Sequence, residues 1–167
     1  LSGVEEAALI FKGVQMREPP APRVGRFVID IGGGSTEFAR GGSDRAPWVW
    51  SCGQGCVSLA DRFFRRGLPL GTAFDAARAY LQDALPAFDP IGAGVDVIGT
   101  SGTIESVEAV LGANGRNDRE ITADGLAHLV RALVEGRWDA DTGLLGLAPE
   151  RVDIFPAGVA LLDTLFR

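Results

Sequence analysis

One histidine, two cysteines and one methionine are all that this chain of 167 residues holds of those types. With His128 alone, a histidine-rich zinc site or a Ser-His-Asp hydrolase arrangement is hard to assemble. Cys52 and Cys56 make no disulfide framework and lack the Cys-x-x-Cys spacing, so they read as small buried thiols. Long apolar runs are also absent: no stretch approaches the roughly 20 residues that a membrane span needs. The opening residues do not read as a basic-then-apolar signal segment, and the expected compartment is the cytoplasm. Lysine is scarce, with Lys12 its sole example, and the formal charge of −6 argues against nonspecific nucleic-acid binding.

What is present is an apolar fraction of 46% with 23% charged residues, which excludes a disordered chain or a collagen-like fibre. The length is a prior for one domain, 1–167, large enough to bury a real core. The first residue is Leu1, followed by the turn-like Ser2-Gly3, and the chain reads as a piece of a longer protein.

Residues Glu5 to Lys12 read as a helix, with Ser2 as N-cap and Glu5 at capping-box spacing. Prolines at 19, 20 and 22 make Arg17 to Arg23 a loop. Phe27 to Ile31 is an apolar run with the acid Asp30 near its end, and reads as a buried strand. Ser35 to Arg40 and Trp48 to Ser51 follow as strands, joined by the glycine turns 32–34 and 41–44, and suggest an antiparallel meander. Val57 to Phe64 reads as a short helix. Thr72 to Leu85 reads as a longer one, with Phe74, Ala77, Leu81 and Leu85 on one face and Thr72/Asp75 at capping spacing. Val95 to Ile98 is a strand, and a helix runs from Ile104 to Leu111. Ala113 to Arg119 is a polar loop. Thr122 caps a helix whose apolar set is Leu126, Leu129, Val130, Leu133 and Val134. Leu147 to Phe166 reads as a short helix, a kink near Pro156-Ala157-Gly158, and a final apolar helix. The order implies an α/β protein with a mixed sheet, antiparallel hairpins and flanking helices.

The most informative stretch is Asp30-Ile31-Gly32-Gly33-Gly34-Ser35-Thr36-Glu37. Glycines allow close approach to a ligand and positive φ, so successive N–H groups can converge on one anion. Ser35 and Thr36 add hydroxyl donors, while Asp30 and Glu37 flank the turn and could hold a divalent cation. A P-loop would need a lysine and then a helix, and a dinucleotide fingerprint would also need a helix; here a strand follows. The competing reading is a hairpin turn rich in glycine for conformational reasons alone. Gly99-Thr100-Ser101-Gly102-Thr103 is a second loop of the same composition between strand and helix. Taken alone it reads as an ordinary connection in which Thr103 is the N-cap and Glu105 lies in the first turn, while two such loops after apolar strands favour a shared anion cleft.

Taken together, Ser2-Gly3-Val4-Glu5-Glu6-Ala7 and Val28 through Glu37 resemble the exopolyphosphatase/guanosine-pentaphosphatase (Ppx/GppA) phosphatase family. Gly55-Cys56-Val57-Ser58-Leu59, Gly99 to Thr103, Glu150-Arg151 and Pro156-Ala157-Gly158 follow in the family's order, so the resemblance covers essentially the whole chain. It implies a ribonuclease H-like lobe of the actin/Hsp70/sugar-kinase superfamily, the second of two lobes that enclose a cleft. The first lobe's Asp-x-Gly-Ser-Asn-Ser loop is not in this sequence, so the isolated chain is expected to be inactive. By the same resemblance Glu6 is the catalytic base, Asp30 and Glu37 work with Mg2+ (or Mn2+), and Gly32, Gly33, Gly34, Ser35 and Thr36 cradle phosphate. Gly99, Thr100, Ser101, Gly102 and Thr103 match the second glycine motif. The implied substrates are inorganic polyphosphate or guanosine pentaphosphate. From the residues alone, Glu6 reads as an acid favoured by the dipole in a helix's first turn, and only the resemblance makes it the base.

Two other classes stay open: a non-catalytic phosphate- or nucleotide-binding or dimerisation module, and a sugar or acetate kinase lobe of the same superfamily. An exposed apolar lobe face would favour a homodimer. Arg62, Arg65 and Arg66 read either as contacts for a polyphosphate tail or as a solvated helix end. His128 reads as a surface residue. Trp48 and Trp50 share a strand face and suit core or lobe packing better than ligand stacking.

Overall fold

Helix α1, Gly3–Arg17, opens the chain in a computed structural model that describes residues 1–20, 25–42, 46–65, 67–86, 91, 94–116, 120–137 and 144–167. Its capping box is the one the sequence predicts: the Ser2 N–H donates to Glu5 Oε2 at 2.7 Å, and the Glu5 N–H donates to Ser2 Oγ at 3.3 Å. The helix outruns the predicted end at Lys12, passing through Gly13 because Val14 is buried beneath it. It stops at Glu18, where the following proline disfavours helical backbone. Loop positions 21–23, 43–44 and 117–119, and Arg66, lie outside the described residues.

Strands β1 (Arg26–Ile31), β2 (Thr36–Gly41) and β3 (Trp48–Cys52) form the expected antiparallel meander. The fourth strand, β4 (Asp96–Thr100), lies parallel to β1, giving the order β3-β2-β1-β4. Alternation along β1 divides its side chains between two layers. Phe27, Ile29 and Ile31, with Phe38 of β2, join the larger core; Val28 and Ala39 face the other way, onto Phe11 and Val14 of α1.

The larger layer contains α2 (Cys56–Leu59), α3 (Leu70–Ala84), α4 (Ser101–Ala113), α5 (Ala123–Val134) and α6 (Phe155–Leu165). Phe74, Leu81, Val107, Leu126, Leu133 and Leu161 are fully buried there, each contributing about 1.5–3 kcal/mol of transfer free energy. The thinner α1 layer buries far less apolar surface, and the polar groups of the sheet gather on that side. At the opposite end of the sheet, Arg26 is 2% exposed and its Nε donates to Asp96 Oδ2 at 2.7 Å, closing the β1–β4 pair.

Several boundaries differ from the sequence reading. The segment read as one helix from Val57 starts at Cys56 and passes into a π-helical stretch, Ala60–Phe64, closed by the Arg65 N–H to Ala60 carbonyl bond. Helix α3 starts at Leu70 behind Pro69, so Thr72 and Asp75 form no cap. Helix α4 starts at Ser101, three residues earlier than expected, and Thr100 instead of Thr103 occupies its cap position. Pro156 lies in the first turn of α6, where an absent N–H costs no hydrogen bond, so it begins the helix and makes no kink. Before it, Pro149–Arg151 is a single 3-10 turn. Val134 is exposed, unlike the rest of the α5 apolar set. Trp48 and Trp50 share a face and stack at 6.5 Å, but on the outer strand they are 47% and 44% exposed and are not core. Among the described residues no helix is long and apolar enough to cross a membrane.

Candidate active site

The β1–β2 hairpin turns at Gly33-Gly34, closed by the Gly32 N–H to Ser35 carbonyl bond at 3.0 Å. Its carbonyls are tied backwards. The Cys56 N–H donates to the Gly32 carbonyl at 2.9 Å, and the Val57 and Ser58 N–H groups donate to the Gly33 carbonyl at 2.8 and 3.2 Å. A planar trans peptide points its N–H opposite to its C=O. Anchoring the Gly32 and Gly33 carbonyls on α2 therefore turns the Gly33 and Gly34 N–H groups to the loop's other, open side. Gly55 permits this, because a Cβ there would collide with the Gly33–Gly34 peptide.

None of Gly32, Gly33 and Gly34 adopts a positive φ, so the conformational reason for the three glycines does not apply. Close approach does. A Cβ on Gly32 would press on the Ser35 carbonyl at 3.2 Å, and one on Gly33 on Val57 Cγ2 at 3.3 Å. Gly34 differs, since open space lies where its Cβ would be. The fold itself does not require glycine at 34; a ligand seated on the loop would. We expect Gly34→Ala to leave Tm unchanged or slightly raised, since alanine reduces the entropy of the unfolded chain. The same variant should weaken tripolyphosphate binding at least tenfold in isothermal titration calorimetry. Unchanged binding would remove the loop's ligand role.

The hairpin hydroxyls part ways. Ser35 hydrogen-bonds to Glu37, whereas the buried Thr36 hydroxyl donates to the Gln54 carbonyl at 2.6 Å. Thr36 therefore offers the open face no hydroxyl.

Asp30 and Glu37 are register partners on the α1 side of the sheet. Glu37 is 3% exposed and receives the Ser51 hydroxyl on Oε1 at 2.8 Å. Burial pushes its carboxyl above the ordinary carboxylate value; hydrogen bonds from Ser51 and Ser35 pull it down, and the charges of Glu6 and Asp30 push it up. Asp30 Oδ2 accepts from Thr100 Oγ1 at 2.5 Å. Glu6 reaches this neighbourhood from the first turn of α1, which sits so closely on β3 that a Cβ on Gly3 would overlap the Ser51 side chain. Three carboxylates from α1, β1 and β2 thus share one face beside the glycine hairpin.

Asp30 and Glu37 are hard oxygen donors that suit Mg2+, which is commonly held by one or two carboxylates plus substrate phosphate and water. The described residues contain no group of three or more His, Cys, Asp or Glu placed as a metal cage. The pair fits a cation shared with a phosphate ligand, not a cation enclosed by protein.

The second loop is locked to the first. Ser101 Oγ donates to the Ile31 carbonyl at 2.6 Å, and Ser101 alone among the described non-glycine residues has a positive φ, of 79°. Gly102 lies under the Arg151 guanidinium, with no room for a Cβ. A Cβ on Gly99 would collide with Ile104. Thr103 is buried against Gly158. The structure thus brings Thr100 and Ser101 to the hairpin, sets Gly102 under Arg151 and turns Thr103 inward.

Sequence reasoning did not single out Ser51, Gly3, Gly55 and Arg151 as site residues. The alternation Trp48-Val49-Trp50-Ser51 carried a signal for Ser51, since it places Ser51 opposite the tryptophans; the strand register was needed to use it. The remaining candidates lie elsewhere. Arg62 stacks on Tyr80 at 4.0 Å and Arg65 pairs with Asp61 at 2.5 Å, so both have structural partners. Both cysteines are free thiols, with Cys52 pushed up by burial. His128 lies on α5, outside the acid row and its two loops.

A Haemophilus influenzae protein that carries the name of a candidate exopolyphosphatase is 34% identical to this chain over 172 residues. The match takes in 99% of this chain and 52% of that protein. A guanosine-5'-triphosphate,3'-diphosphate pyrophosphatase from Aeromonas salmonicida is also 34% identical over 172 residues, spanning all of this chain and 34% of its own length. The chain therefore spans about half of one relative and about a third of the other. Among solved structures, an exopolyphosphatase from Cytophaga hutchinsonii superposes with a TM-score of 0.70 at 24% identity, covering 98% of this chain and 55% of that one. A Ppx/GppA phosphatase from Aquifex aeolicus superposes with a TM-score of 0.63 at 18% identity, covering 96% of this chain and 54% of that one. These show the fold, and the expected ribonuclease H-like, actin-type α/β class holds. The model of the Ppx/GppA phosphatase family matches residues 1–167, and the chain belongs to that family.

Proposed function

We propose that this chain is the second lobe of a cytoplasmic, Mg2+-dependent (or Mn2+-dependent) phosphoanhydride hydrolase that releases terminal phosphate from inorganic polyphosphate or guanosine pentaphosphate. The observation that carries the reading is the convergence of Glu6, Asp30 and Glu37 on one sheet face beside a hairpin whose N–H groups open outward. The names of the relatives support the two substrates.

In this reading the Gly33 and Gly34 N–H groups receive the terminal phosphoryl oxygens, while the Ser35 hydroxyl stays on Glu37. Glu6 accepts a proton from water as the water oxygen bonds to the terminal phosphorus. The bridging P–O bond breaks, and the shortened chain leaves with its electron pair on oxygen. Base catalysis of this kind is worth about 10²- to 10⁴-fold. Asp30 and Glu37 would hold the cation, whose chemistry is to neutralise charge on the phosphoryl oxygens. Their crowded negative charge favours that ligand.

Phosphate release by the full-length protein tests the reading. Release is expected from at least one of the two substrates, only with a divalent cation, and is lost in Asp30→Asn. No release from either, or transfer from ATP to an acceptor without free phosphate, would overturn it.

A further inference from the structure

Four residues form one straight row across the sheet. Asp30 is the register partner of both Glu37 on β2 and Thr100 on β4, and Glu37 is the partner of Ser51 on β3. The row reads Ser51–Glu37–Asp30–Thr100: hydroxyl, acid, acid, hydroxyl. Each hydroxyl donates to the acid beside it, Ser51 Oγ to Glu37 Oε1 at 2.8 Å and Thr100 Oγ1 to Asp30 Oδ2 at 2.5 Å.

We propose that Ser51 and Thr100 are positioning residues that hold the Glu37 and Asp30 carboxylates from the two outer strands and aim them at a shared divalent cation. Asp30 and Glu37 are taken as the cation-side acids of the hydrolase proposed above.

Thr100 gives up an ordinary role to do this. It occupies the N-cap of α4, where a threonine hydroxyl commonly accepts a hydrogen bond from an N–H of the first turn. No such bond forms, because the hydroxyl is on Asp30. Thr122, at the same position of α5, does cap its helix, accepting from the Gly125 N–H at 3.1 Å. The residue that follows, Ser101, has the positive φ and donates to the Ile31 carbonyl, so the start of α4 is fitted to β1 at the expense of its own cap.

Ser51 is confined in a complementary way. Gly3 lies against its Cβ and Oγ, so the first turn of α1, which carries Glu6, rests on the same side chain that fixes Glu37. Each hydroxyl comes to its acid from an outer strand, Ser51 from β3 and Thr100 from β4. Partners of this kind orient ligating carboxylates, and their loss typically lowers metal affinity or activity about 10- to 100-fold.

Mn2+ binding to the full-length protein, followed by electron paramagnetic resonance with inorganic phosphate present, is the test, with phosphate-release kinetics alongside. Ser51→Ala and Thr100→Val should each weaken Mn2+ binding about tenfold or more and lower kcat with little change in KM. Thr100→Ser, which keeps the hydroxyl, should stay near wild type. Wild-type Mn2+ affinity in both Ser51→Ala and Thr100→Val, while Asp30→Asn loses it, would overturn the positioning role and leave the hydrolase reading standing. The role is also overturned if Thr100→Ser fails as badly as Thr100→Val. Unaltered binding in Asp30→Asn would instead sink the assignment of Asp30 as a cation-side acid.

Discussion

Replacing Glu6 with glutamine in the full-length protein is expected to lower kcat for phosphate release about 10²- to 10⁴-fold. KM for polyphosphate should stay within about twofold and Tm should fall only slightly, because Glu6 is exposed and has no part in the capping box. Its contribution to the fold is limited to an acid near a helix N-terminus, worth about 0.3–1 kcal/mol. Glu5 supplies the contrast. It makes the capping hydrogen bonds with Ser2, so Glu5→Ala should lower Tm while leaving the chemical step intact. On these expectations two adjacent glutamates divide structure from chemistry. Rate assays and thermal melts on both variants check the division, and an unchanged rate in Glu6→Gln would remove the base assignment.

That division was only half legible in the sequence. The spacing from Ser2 to Glu5 announces a cap through local geometry alone, and the cap is there. The apolar run at Phe27–Ile31 and the spacing of Leu126, Leu129, Val130 and Leu133 are equally local, and the strand and the helix both form. The acid row is different in kind. Ser51, Glu37, Asp30 and Thr100 meet because of a register across four strands, and Asp30 and Thr100 are 70 residues apart. No local pattern encodes that meeting. Loop composition points to Thr103 as the cap of the next helix and gives Thr100 no role, whereas Thr100 occupies the cap position with its hydroxyl on Asp30. The glycines mislead more subtly. Composition predicts the Gly32–Gly34 turn, but the physical need lies partly in Gly55, which packs on it from a distant part of the chain. Pro156 shows the same limit, as only the position of the preceding turn decides whether a proline kinks a helix or starts one.

Glu37→Gln should move stability and activity in opposite directions. A carboxyl whose value is raised in the folded state binds its proton more tightly there than in the unfolded chain. It therefore favours folding at low pH and loses that contribution as pH rises through the folded value. At neutral pH the ionised Glu37 is a burden on the fold: it is buried, and the charges of Glu6 and Asp30 oppose it. Glutamine keeps an acceptor for Ser51 and removes the charge. In the absence of divalent cations Tm should rise at pH 7, and the gain should shrink as pH falls towards the ordinary carboxylate value of 4.5. Added Mg2+ or Mn2+ should raise the Tm of the wild type more than that of the variant, because only the wild type regains a favourable partner for the buried charge. Activity should fall at least tenfold. Thermal melts between pH 4 and pH 8, with and without cation, decide the matter: a variant less stable than wild type at pH 7 would show that the Glu37 charge supports the fold, whereas the expected rise means that the charge costs the fold stability, as a group placed for the proposed cation would.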